Sequence, residues 1–261
     1  MKIARLGVNI DHVATLRQQR GEFYPEVTRA AEVSLATGAD QITIHLREDR
    51  RHIQDRDVPA VHTVCKKFGQ LLNFEMGCHD EMIAIAINEK PGWVCLVPEK
   101  REERTTEGGL DVVDEKNFQR VKLACEKIKK GSPGTKISLF VEADEAVLKR
   151  CLELKADAVE IHTGDYAKDF LEKKDLQKHL DRFEKGAAII KQKGWGYHAG
   201  HGLTFESLEP LLIQARFEEY NIGHWIITES VFIGLGHVVK EMLTLIKNTL
   251  WQVKDENCYT S

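Results

Sequence analysis

The sequence predicts an α/β fold, a single (β/α)8 barrel of the TIM type with extra helices, and three observations point to it. Short β-type runs alternate with amphipathic helical segments from one end of the chain to the other, at intervals of roughly 20 to 40 residues. Eight such runs occur, each followed by a helical segment. A length of 261 residues suits one such barrel, and no linker divides the chain. We therefore expect residues 1–261 to form one domain rather than two small ones.

The eight predicted strands are short and mostly apolar or alternating. Their unbroken series favours a closed barrel over an open doubly wound sheet. The first βα loop also lacks the GxGxxG pattern that is typical of dinucleotide-binding folds. In chain order the predicted strands are Leu6–Asp11, Gln41–Leu46, Leu71–Met76, Trp93–Val97, Lys136–Glu142, Ala158–His162, Gly196–Ala199 and Glu219–Ile222.

The connections between these strands carry helix signals. Pro25–Gly38 has proline at its first turn and glycine after its last turn. Asp144–Asp157 begins with a residue that can cap a helix, and its apolar residues recur at helical spacing. The connection Tyr166–Lys193 is strongly charged and longer than one ordinary barrel helix, so we predict that it contains an added helix.

The composition argues against several classes of partner. Hydrophobic residues make up 42% of the chain, which is enough for a sizeable core, and the net charge of -4 gives no electrostatic reason to bind nucleic acid or an anionic membrane. The six cysteines form no CxxC pair, which indicates reduced thiols. No apolar run is long enough for a secretion signal or a membrane span, so we expect a cytoplasmic protein.

Polar residues gather at the C-terminal ends of the predicted strands. Alternation places Thr43, His45 and Arg47 on one face of the second strand, with Asn73 and Glu75 on the matching face of the third. One inward Glu or His would be explained by a structural hydrogen bond, but here most strands contribute, at the end where barrel enzymes keep their active sites. We therefore predict a functional pocket. The other members are Asn9, Asp11, His12, Glu142, Glu160, His162, His198, His201, Asn221 and His224.

Two glycine-containing turns predict a phosphate site in the seventh and eighth βα units. Ala199–Leu208 and Asn221–Ser230 each run from strand through glycine to a helix start, where barrels commonly hold phosphate on backbone N–H groups. A plain tight turn would explain either one alone.

Arginines after the second strand predict a second anion site. Arg47 continues the inward face of that strand, whereas Arg50, Arg51 and Arg56 are explained as well by a solvated loop in which they pair with neighbouring aspartates. The long charged segment Glu99–Val112, with Gly108 and Gly109 as hinges, is typical of a lid that closes over substrate.

Two other functions remain open on the residues alone. His, Asp and Glu at strand ends are also the ligands of metal-dependent hydrolase barrels, although the first strand offers N-x-D-H rather than H-x-H and several inward residues are Arg or Asn. A non-catalytic barrel that binds a phosphorylated ligand would show the same anion sites.

Taken in order, several segments resemble the pyridoxine 5′-phosphate synthase family of vitamin B6 biosynthesis. The resemblance covers nearly the whole chain and is carried by GVNIDHVATLRQQRG, GADQITIHLREDRRHIQDRDV, LNFEM, LVPEKREERTTEGGLDV, SLFVEAD, VEIHTGDYA, AGHGLT and NIGHWII. It implies a (β/α)8 barrel with extra helices that assembles as a homo-octamer, a tetramer of dimers. It also implies a transferase that condenses 1-deoxy-D-xylulose 5-phosphate with 3-amino-2-oxopropyl phosphate to pyridoxine 5′-phosphate, phosphate and water, with no metal and no organic cofactor.

The resemblance also implies roles for individual residues. His45 and Glu75 would accept protons, His201 would donate one, and Glu160 would stabilise charge in the transition state. The residues implied to hold the amino ketone phosphate are Asn9, Arg20, Gly202, Gly223 and His224. Those implied to hold the sugar phosphate are Asp11, His12, Arg47, His52 and Thr105.

The chain departs from the family pattern in few places. His198 stands where an asparagine is expected, Trp225 follows NIGH, and GCHDEM after Glu75 is unusual. These departures leave every implied catalytic position filled.

Overall fold

The fold is a closed barrel of eight parallel strands in which each strand pairs with its neighbours in sequence, and β8 closes on β1. The computed structural model describes residues 3–99, 108–214 and 217–258. The predicted (β/α)8 barrel is confirmed. The strands are β1 (Arg5–Asn9), β2 (Gln41–His45), β3 (Leu71–Met76), β4 (Trp93–Leu96), β5 (Lys136–Val141), β6 (Ala158–His162), β7 (Gly196–Gly200) and β8 (Glu219–Ile222).

The predicted strand bounds differ from the observed ones by at most two residues at an end. The largest difference is at β1, which was predicted to reach Asp11 but ends at Asn9. Asp11 instead begins a helix, and its backbone N–H donates to Asn9 Oδ1 at 2.9 Å. The side chain of Asn9 therefore turns the chain from strand into helix.

Eleven helices lie in the described part of the chain. The predicted helix Pro25–Gly38 begins later, at Val27, because Glu26 keeps an extended backbone; it ends as predicted at Gly38, with φ of 112°. The helices are α1 (Asp11–Arg20), α2 (Val27–Thr37), α3 (Asp57–Lys67), α4 (Asp80–Glu89), α5 (Glu115–Gly131), α6 (Glu145–Cys151), α7 (Gly164–Leu171), α8 (Gln177–Lys191), α9 (Phe205–Gln214), α10 (His224–Ile233) and α11 (Leu235–Cys258).

Two of the helix predictions concern the middle of the chain. Asp144 caps α6 as expected, since its Oδ1 accepts from the backbone N–H of Ala146 at 2.9 Å, although the helix stops at Cys151 instead of continuing to Asp157. The long connection after β6 does contain an added helix, because both α7 and α8 lie there. Within the described ranges, no helix is both long enough and apolar enough to cross a membrane.

The hydrophobic core lies mainly between the strands and the helices that surround them. The outward side chains of β2, Ile42 and Ile44, are fully buried there, and so are Leu72 and Phe74 of β3. The inward side chains of the same strands are polar. This alternation explains how the barrel can be stable while its interior is occupied by ionisable groups.

Candidate active site

Side chains from β2, β3 and β6 bring an imidazole and two carboxylates to the C-terminal mouth of the barrel. His45 and Glu75 are partners in the β2–β3 register. Glu160 of β6 is buried and close enough to Glu75 to affect its pKa. Asp11 reaches the same place from the start of α1, where its Oδ1 accepts from the backbone N–H of His45 at 2.8 Å. Four residues that the sequence reading placed in one pocket therefore meet there.

The carboxylates at the mouth repel one another in a setting of low dielectric. Burial, together with the nearby Glu160 and Asp11, raises the pKa of Glu75 well above its ordinary value. Burial and the charge of Glu219 raise the pKa of Glu160 to about 8, against the opposing effect of a hydrogen bond from Asn221. Carboxyl groups with raised pKa values can take and return protons near neutral pH.

His45 is held in one orientation by Glu99, which follows β4. His45 Nε2 lies 2.9 Å from Glu99 Oε1, and Glu99 also accepts from the backbone N–H groups of Gly77 and Glu48, each at 3.0 Å. Although burial opposes it, these hydrogen bonds lower the pKa of Glu99 to about 2. An ionised Glu99 can only accept, so neutral His45 carries its proton on Nε2 and leaves Nδ1 as a base.

His52 and Arg47 line the adjacent wall. The ring centroids of His52 and His45 are 6.2 Å apart. Nδ1 of His52 accepts from the backbone N–H of Ile53 at 2.8 Å. Burial lowers the pKa of His52 to about 4, so at neutral pH it is an uncharged donor through Nε2. Arg47 is buried, with 3% of its surface exposed, as expected for a residue that continues the inward face.

The neighbouring arginines behave as the solvated-loop interpretation predicts. Arg50 pairs with Asp55 at 2.9 Å and with Glu81 at 2.5 Å, and Arg51 pairs with Asp49 at 2.5 Å. Arg56 is exposed. Of the clustered arginines, only Arg47 is buried at the mouth.

His201 occupies an unusual backbone position after β7. Its φ is 79°, in the left-handed region that L residues other than glycine rarely adopt, and Gly202 follows with φ of 77°. Thr163 holds this turn, because its Oγ1 lies 2.8 Å from the carbonyl oxygen of Gly200 and 2.7 Å from that of His201. Burial, with His162 and His224 nearby, lowers the pKa of His201 to about 4.

The predicted binding residues at the junction of β8 and β1 touch one another. The rings of His12 and His224 meet edge to face at 5.0 Å. A Cβ atom added to Gly223 would lie 2.8 Å from the Cβ of Asn9, so packing against Asn9 favours glycine there. The side chain of Asn9 donates to Asp11 Oδ2 at 2.9 Å. Residues implied to hold the two different substrates thus lie side by side.

Three helices begin within two residues of a strand end and direct their N-termini at the mouth. They are α1 after β1, α7 after β6 and α10 after β8. None of the three has a hydrogen bond from its N-cap side chain, although in α1 the backbone N–H of Asp11 donates to Asn9 Oδ1 at 2.9 Å. Helix N-termini with free N–H groups attract anions.

A second polar layer lies inside the barrel, below the mouth. Asn221 Nδ2 donates to Glu160 Oε2 at 2.8 Å and to Glu219 Oε1 at 3.1 Å. His198 belongs to this layer, 3.4 Å from Glu219, so placing His198 at the strand end was wrong. Every second residue of a strand faces the interior, so an inward side chain can lie at the middle of β7, as His198 does, and not only at the end of the strand.

Other predicted residues lie on the surface, outside the described ranges or in the predicted lid. Arg20 is exposed in the last turn of α1, about 14 Å along the helix axis from Asp11 by the rise per residue. Thr105 and most of the predicted lid lie outside the described residues. The last part of that segment is packed against β5: Leu110 and Val112 are buried, and the backbone N–H of Leu110 donates to the carbonyl oxygen of Phe140 at 2.7 Å. That part is anchored to the barrel in this structure, and the lid stays a prediction.

Within residues 3–99, 108–214 and 217–258, two groups of side chains could hold a cation. Asp11, His45 and Glu75 offer ligand atoms within 4.8 Å of one another, and so do Glu48, His79 and Glu99. The first group lies at the centre of the mouth, and the second lies at its rim. Carboxylate oxygens and imidazole nitrogens are usual ligands of divalent metals.

Sequence reasoning missed the part played by Glu99. It placed Glu142 and His162 in the predicted pocket but assigned neither a role. Glu99 was treated as the first residue of a charged loop, whereas its carboxylate orients His45. Its place, directly after Pro98 at the end of β4, was the signal that could have identified it. His162 Nδ1 lies 2.6 Å from Glu142 Oε1, so these two residues form a second carboxylate–imidazole pair.

Solved structures with the same architecture have little sequence in common with this chain. Thiamine phosphate pyrophosphorylase from Pyrococcus furiosus matches with a TM-score of 0.58 at 13% identity, covering 94% of this chain and 96% of that one. Tryptophan synthase from M. tuberculosis matches with a TM-score of 0.64 at 10% identity, covering 94% and 92%. At this level of identity the likeness concerns the fold alone.

Relatives with known names are much closer in sequence. Pyridoxine 5′-phosphate synthase of Caulobacter sp. (strain K31) is 46% identical over 245 residues, which is 93% of this chain and 96% of that protein. The same enzyme of Geotalea uraniireducens (strain Rf4) is 45% identical over 245 residues, 94% and 99% of the two chains. The profile of the pyridoxal phosphate biosynthesis protein PdxJ matches residues 6–248. The chain therefore belongs to the PdxJ family.

Proposed function

We propose that the barrel mouth condenses 1-deoxy-D-xylulose 5-phosphate with 3-amino-2-oxopropyl phosphate to form pyridoxine 5′-phosphate, phosphate and water. Membership of the PdxJ family makes the chain an enzyme of vitamin B6 biosynthesis. The observation that carries the proposal is the meeting of Glu75, His45 and Glu160 in one mouth, with Glu99 fixing the tautomer of His45.

The reaction requires repeated proton transfers around one forming ring, because imine formation, loss of phosphate, ring closure and dehydration each move protons. In our assignment Glu75 and Nδ1 of His45 accept protons. The raised pKa of Glu75 makes its carboxylate a stronger base. The contact between Nε2 of His45 and Glu99 leaves Nδ1 of His45 available to accept a proton. His201 donates a proton to a leaving group. Glu160 stabilises the charge that develops in the transition state, and its hydrogen bond from Asn221 holds its carboxyl in place.

The two substrates each carry a phosphate, and the mouth offers cationic and dipolar groups for both. The N-termini of α7 and α10, which have no capping side chain, supply backbone N–H groups. Arg47, His52, Asp11 and His12 would hold the sugar phosphate. The residues proposed for the amino ketone phosphate are Asn9, Arg20, Gly202, Gly223 and His224. Thr105, which we also propose for the sugar phosphate, lies outside the described residues.

The assembly and location of the protein are proposed on family likeness. We expect a homo-octamer, a tetramer of dimers, that acts in the cytoplasm on small molecules and uses no metal or organic cofactor. A sizing measurement by light scattering tests the first expectation, with a mass close to eight times the 29.7 kDa of one chain as the predicted result.

A second candidate function, metal-dependent hydrolysis, is favoured by the ligand-like grouping of Asp11, His45 and Glu75. One experiment separates it from the proposal. Purified protein is treated with a chelator, freed of the chelator and incubated with both phosphorylated substrates, while product fluorescence and released phosphate are recorded.

The proposal predicts pyridoxine 5′-phosphate and phosphate in equal amounts, at a rate that zinc does not increase. Activity that chelation removes and zinc restores would favour the metal enzyme. Substrate binding seen as thermal stabilisation, without phosphate release, would identify a binding protein that does not catalyse.

A further inference from the structure

A second imidazole lies directly beside the proposed proton donor. His162 is the last residue of β6, its side chain is 8% exposed, and its ring centroid is 5.1 Å from that of His201. The two rings converge over Gly164. A Cβ atom added to Gly164 would lie 2.5 Å from His162 Nε2 and 3.1 Å from His201 Cδ2, so glycine keeps side-chain atoms out of the space between the rings.

Glu142 determines which nitrogen of His162 faces His201. The 2.6 Å contact joins His162 Nδ1 to Glu142 Oε1. Burial alone would raise the pKa of Glu142, but the contact with His162, Arg182 at 3.7 Å and the backbone N–H of Gly109 at 3.3 Å together lower it. An ionised Glu142 accepts a hydrogen bond, so His162 Nδ1 is the donor. Among the described residues, none forms a hydrogen bond with Nε2, which is turned toward the space over Gly164.

His201 needs a nearby source of protons in order to act as an acid. Its lowered pKa, about 4, leaves it neutral at the pH of a cell. A neutral imidazole that gave up its remaining proton would become an imidazolate, which is too unstable to form at this pH. The other imidazole near His201, His224, packs on His12 and has no carboxylate partner among the described residues. His162 is the neighbour whose positive charge a carboxylate would stabilise.

We propose that His162, oriented by Glu142, is a proton-relay residue that supplies the proton His201 delivers to the leaving group. Glu142 is then a positioning residue that stabilises the charged form of His162. The inference rests on the proposed function, because it takes His201 as the donor, and it adds two residues to that function's machinery.

The transfer conserves protons at each step. In the charged state His162 bears protons on both Nδ1 and Nε2. The Nε2 proton passes to His201, directly or through one water molecule, as His201 gives its own proton to the leaving oxygen. His162 is then neutral, with Nδ1–H still donated to Glu142. A proton taken from the substrate by the bases at the mouth, or one from solvent water, restores the charged state before the next turnover.

The test compares kcat, KM and their pH dependence in three variants with the unmodified chain. His162→Ala removes the relay and opens a space beside His201. Glu142→Gln keeps the shape of the positioning residue and removes its charge. Asp169→Asn is the matched control, since Asp169 of α7 forms the same kind of pair with His179 of α8 at 2.9 Å, outside the group of residues that the relay uses.

The relay predicts that His162→Ala lowers kcat by about 10²-fold or more while KM values change by less than about threefold, and that added imidazole restores part of kcat. Glu142→Gln should move the alkaline limb of the kcat profile to lower pH by about one unit or more, because loss of a neighbouring negative charge disfavours the imidazolium. The groups that bear on this limb are Glu142, Arg182, His201 and His224. Asp169→Asn should leave the profile unchanged.

Full kcat in His162→Ala, or an unshifted profile in Glu142→Gln, would overturn the relay. If His162→Ala does not fold, the Glu142→Gln profile alone decides. An unmodified chain that forms no pyridoxine 5′-phosphate would overturn the proposed function itself, whereas normal turnover by the unmodified chain and by both variants would overturn the relay only.

Discussion

Individual side chains at the mouth acquire their chemical properties from neighbours that are distant in sequence. Glu160 is the clearest case. It is surrounded by protein, faces the charge of Glu219 and accepts a hydrogen bond from Asn221, 61 residues further along the chain. Its inward position could be predicted from strand alternation, but its raised pKa could not, since that depends on which strands meet across the barrel.

The pH dependence of stability tests this environment. The folded chain keeps the proton on Glu160 up to about pH 8, whereas an unfolded chain releases it near 4.5. The stability that Glu160 contributes is therefore fully present below pH 4.5, the pKa of this group in the unfolded chain, and is lost as the pH rises toward 8. Glu160→Gln removes this titration, so the melting temperature of the variant should rise relative to the unmodified chain between pH 5 and 8 and then stay level. A difference that is constant, or that has the opposite sign, would show that Glu160 is ionised in the folded state.

Arg47 provides a residue-scale test of the sugar phosphate site. It is buried at the mouth, whereas Arg50 is engaged with Asp55 and Glu81 on the exposed loop. Loss of a charge-assisted contact to phosphate is worth roughly 1.5 to 3 kcal/mol, so Arg47→Ala should raise the KM for the sugar phosphate by about 10- to 100-fold. The matched control Arg50→Ala should change KM by less than about threefold. Equal effects in the two variants would place the phosphate elsewhere.

At the scale of secondary structure, most elements could be predicted because each carries a local signal. Period-two alternation identified β2 and β3, and Gly38 marked the end of α2. Interactions between elements left no such signal. Arg17 of α1 and Asp57 of α3 are 40 residues apart, yet they form two hydrogen bonds of 2.8 and 2.6 Å. The carboxylate–imidazole pair of Glu142 and His162 likewise depends on the neighbouring positions of β5 and β6.

The Arg17–Asp57 pair joins α1 to the segment that carries His52. Arg17 Nη2 also donates to the carbonyl oxygen of His52 at 3.3 Å, and Asp57 accepts from the backbone N–H of Gln54. Since both partners are buried, Asp57→Ala leaves an unpaired guanidinium and should lower the free energy of unfolding by about 3 to 5 kcal/mol in urea titrations.

A control separates the Arg17–Asp57 pair from surface ion pairs in general. Glu145→Ala removes the partner of Lys149, an exposed pair one helical turn apart, and should leave the unfolding midpoint unchanged within error. An Asp57→Ala variant as stable as this control would mean that α1 and α3 are held together by apolar packing alone.

At the scale of the whole molecule, the barrel divides its surfaces between stability and chemistry. Apolar side chains such as Ile44 and Phe74 pack outward against the helices, and polar ones such as Thr43 and Asn73 fill the interior. The closed sheet brings eight strand ends to one rim, which explains why residues from 9 to 224 can meet. Sequence alternation predicted this convergence. How far each side chain lies from the rim could not be predicted, because it depends on the register between neighbouring strands.

The central claim is that one mouth gathers the acids and bases that close the pyridine ring, and Glu75 tests it most directly. Glu75→Gln keeps the size and hydrogen-bonding shape of the side chain but removes its basicity. The decisive measurement is single-turnover formation of pyridoxine 5′-phosphate, made beside the affinities for both substrates. We predict affinities within about threefold of those of the unmodified chain and a rate that is lower by about 10²- to 10⁴-fold. Unchanged affinities with an unchanged rate would contradict the account.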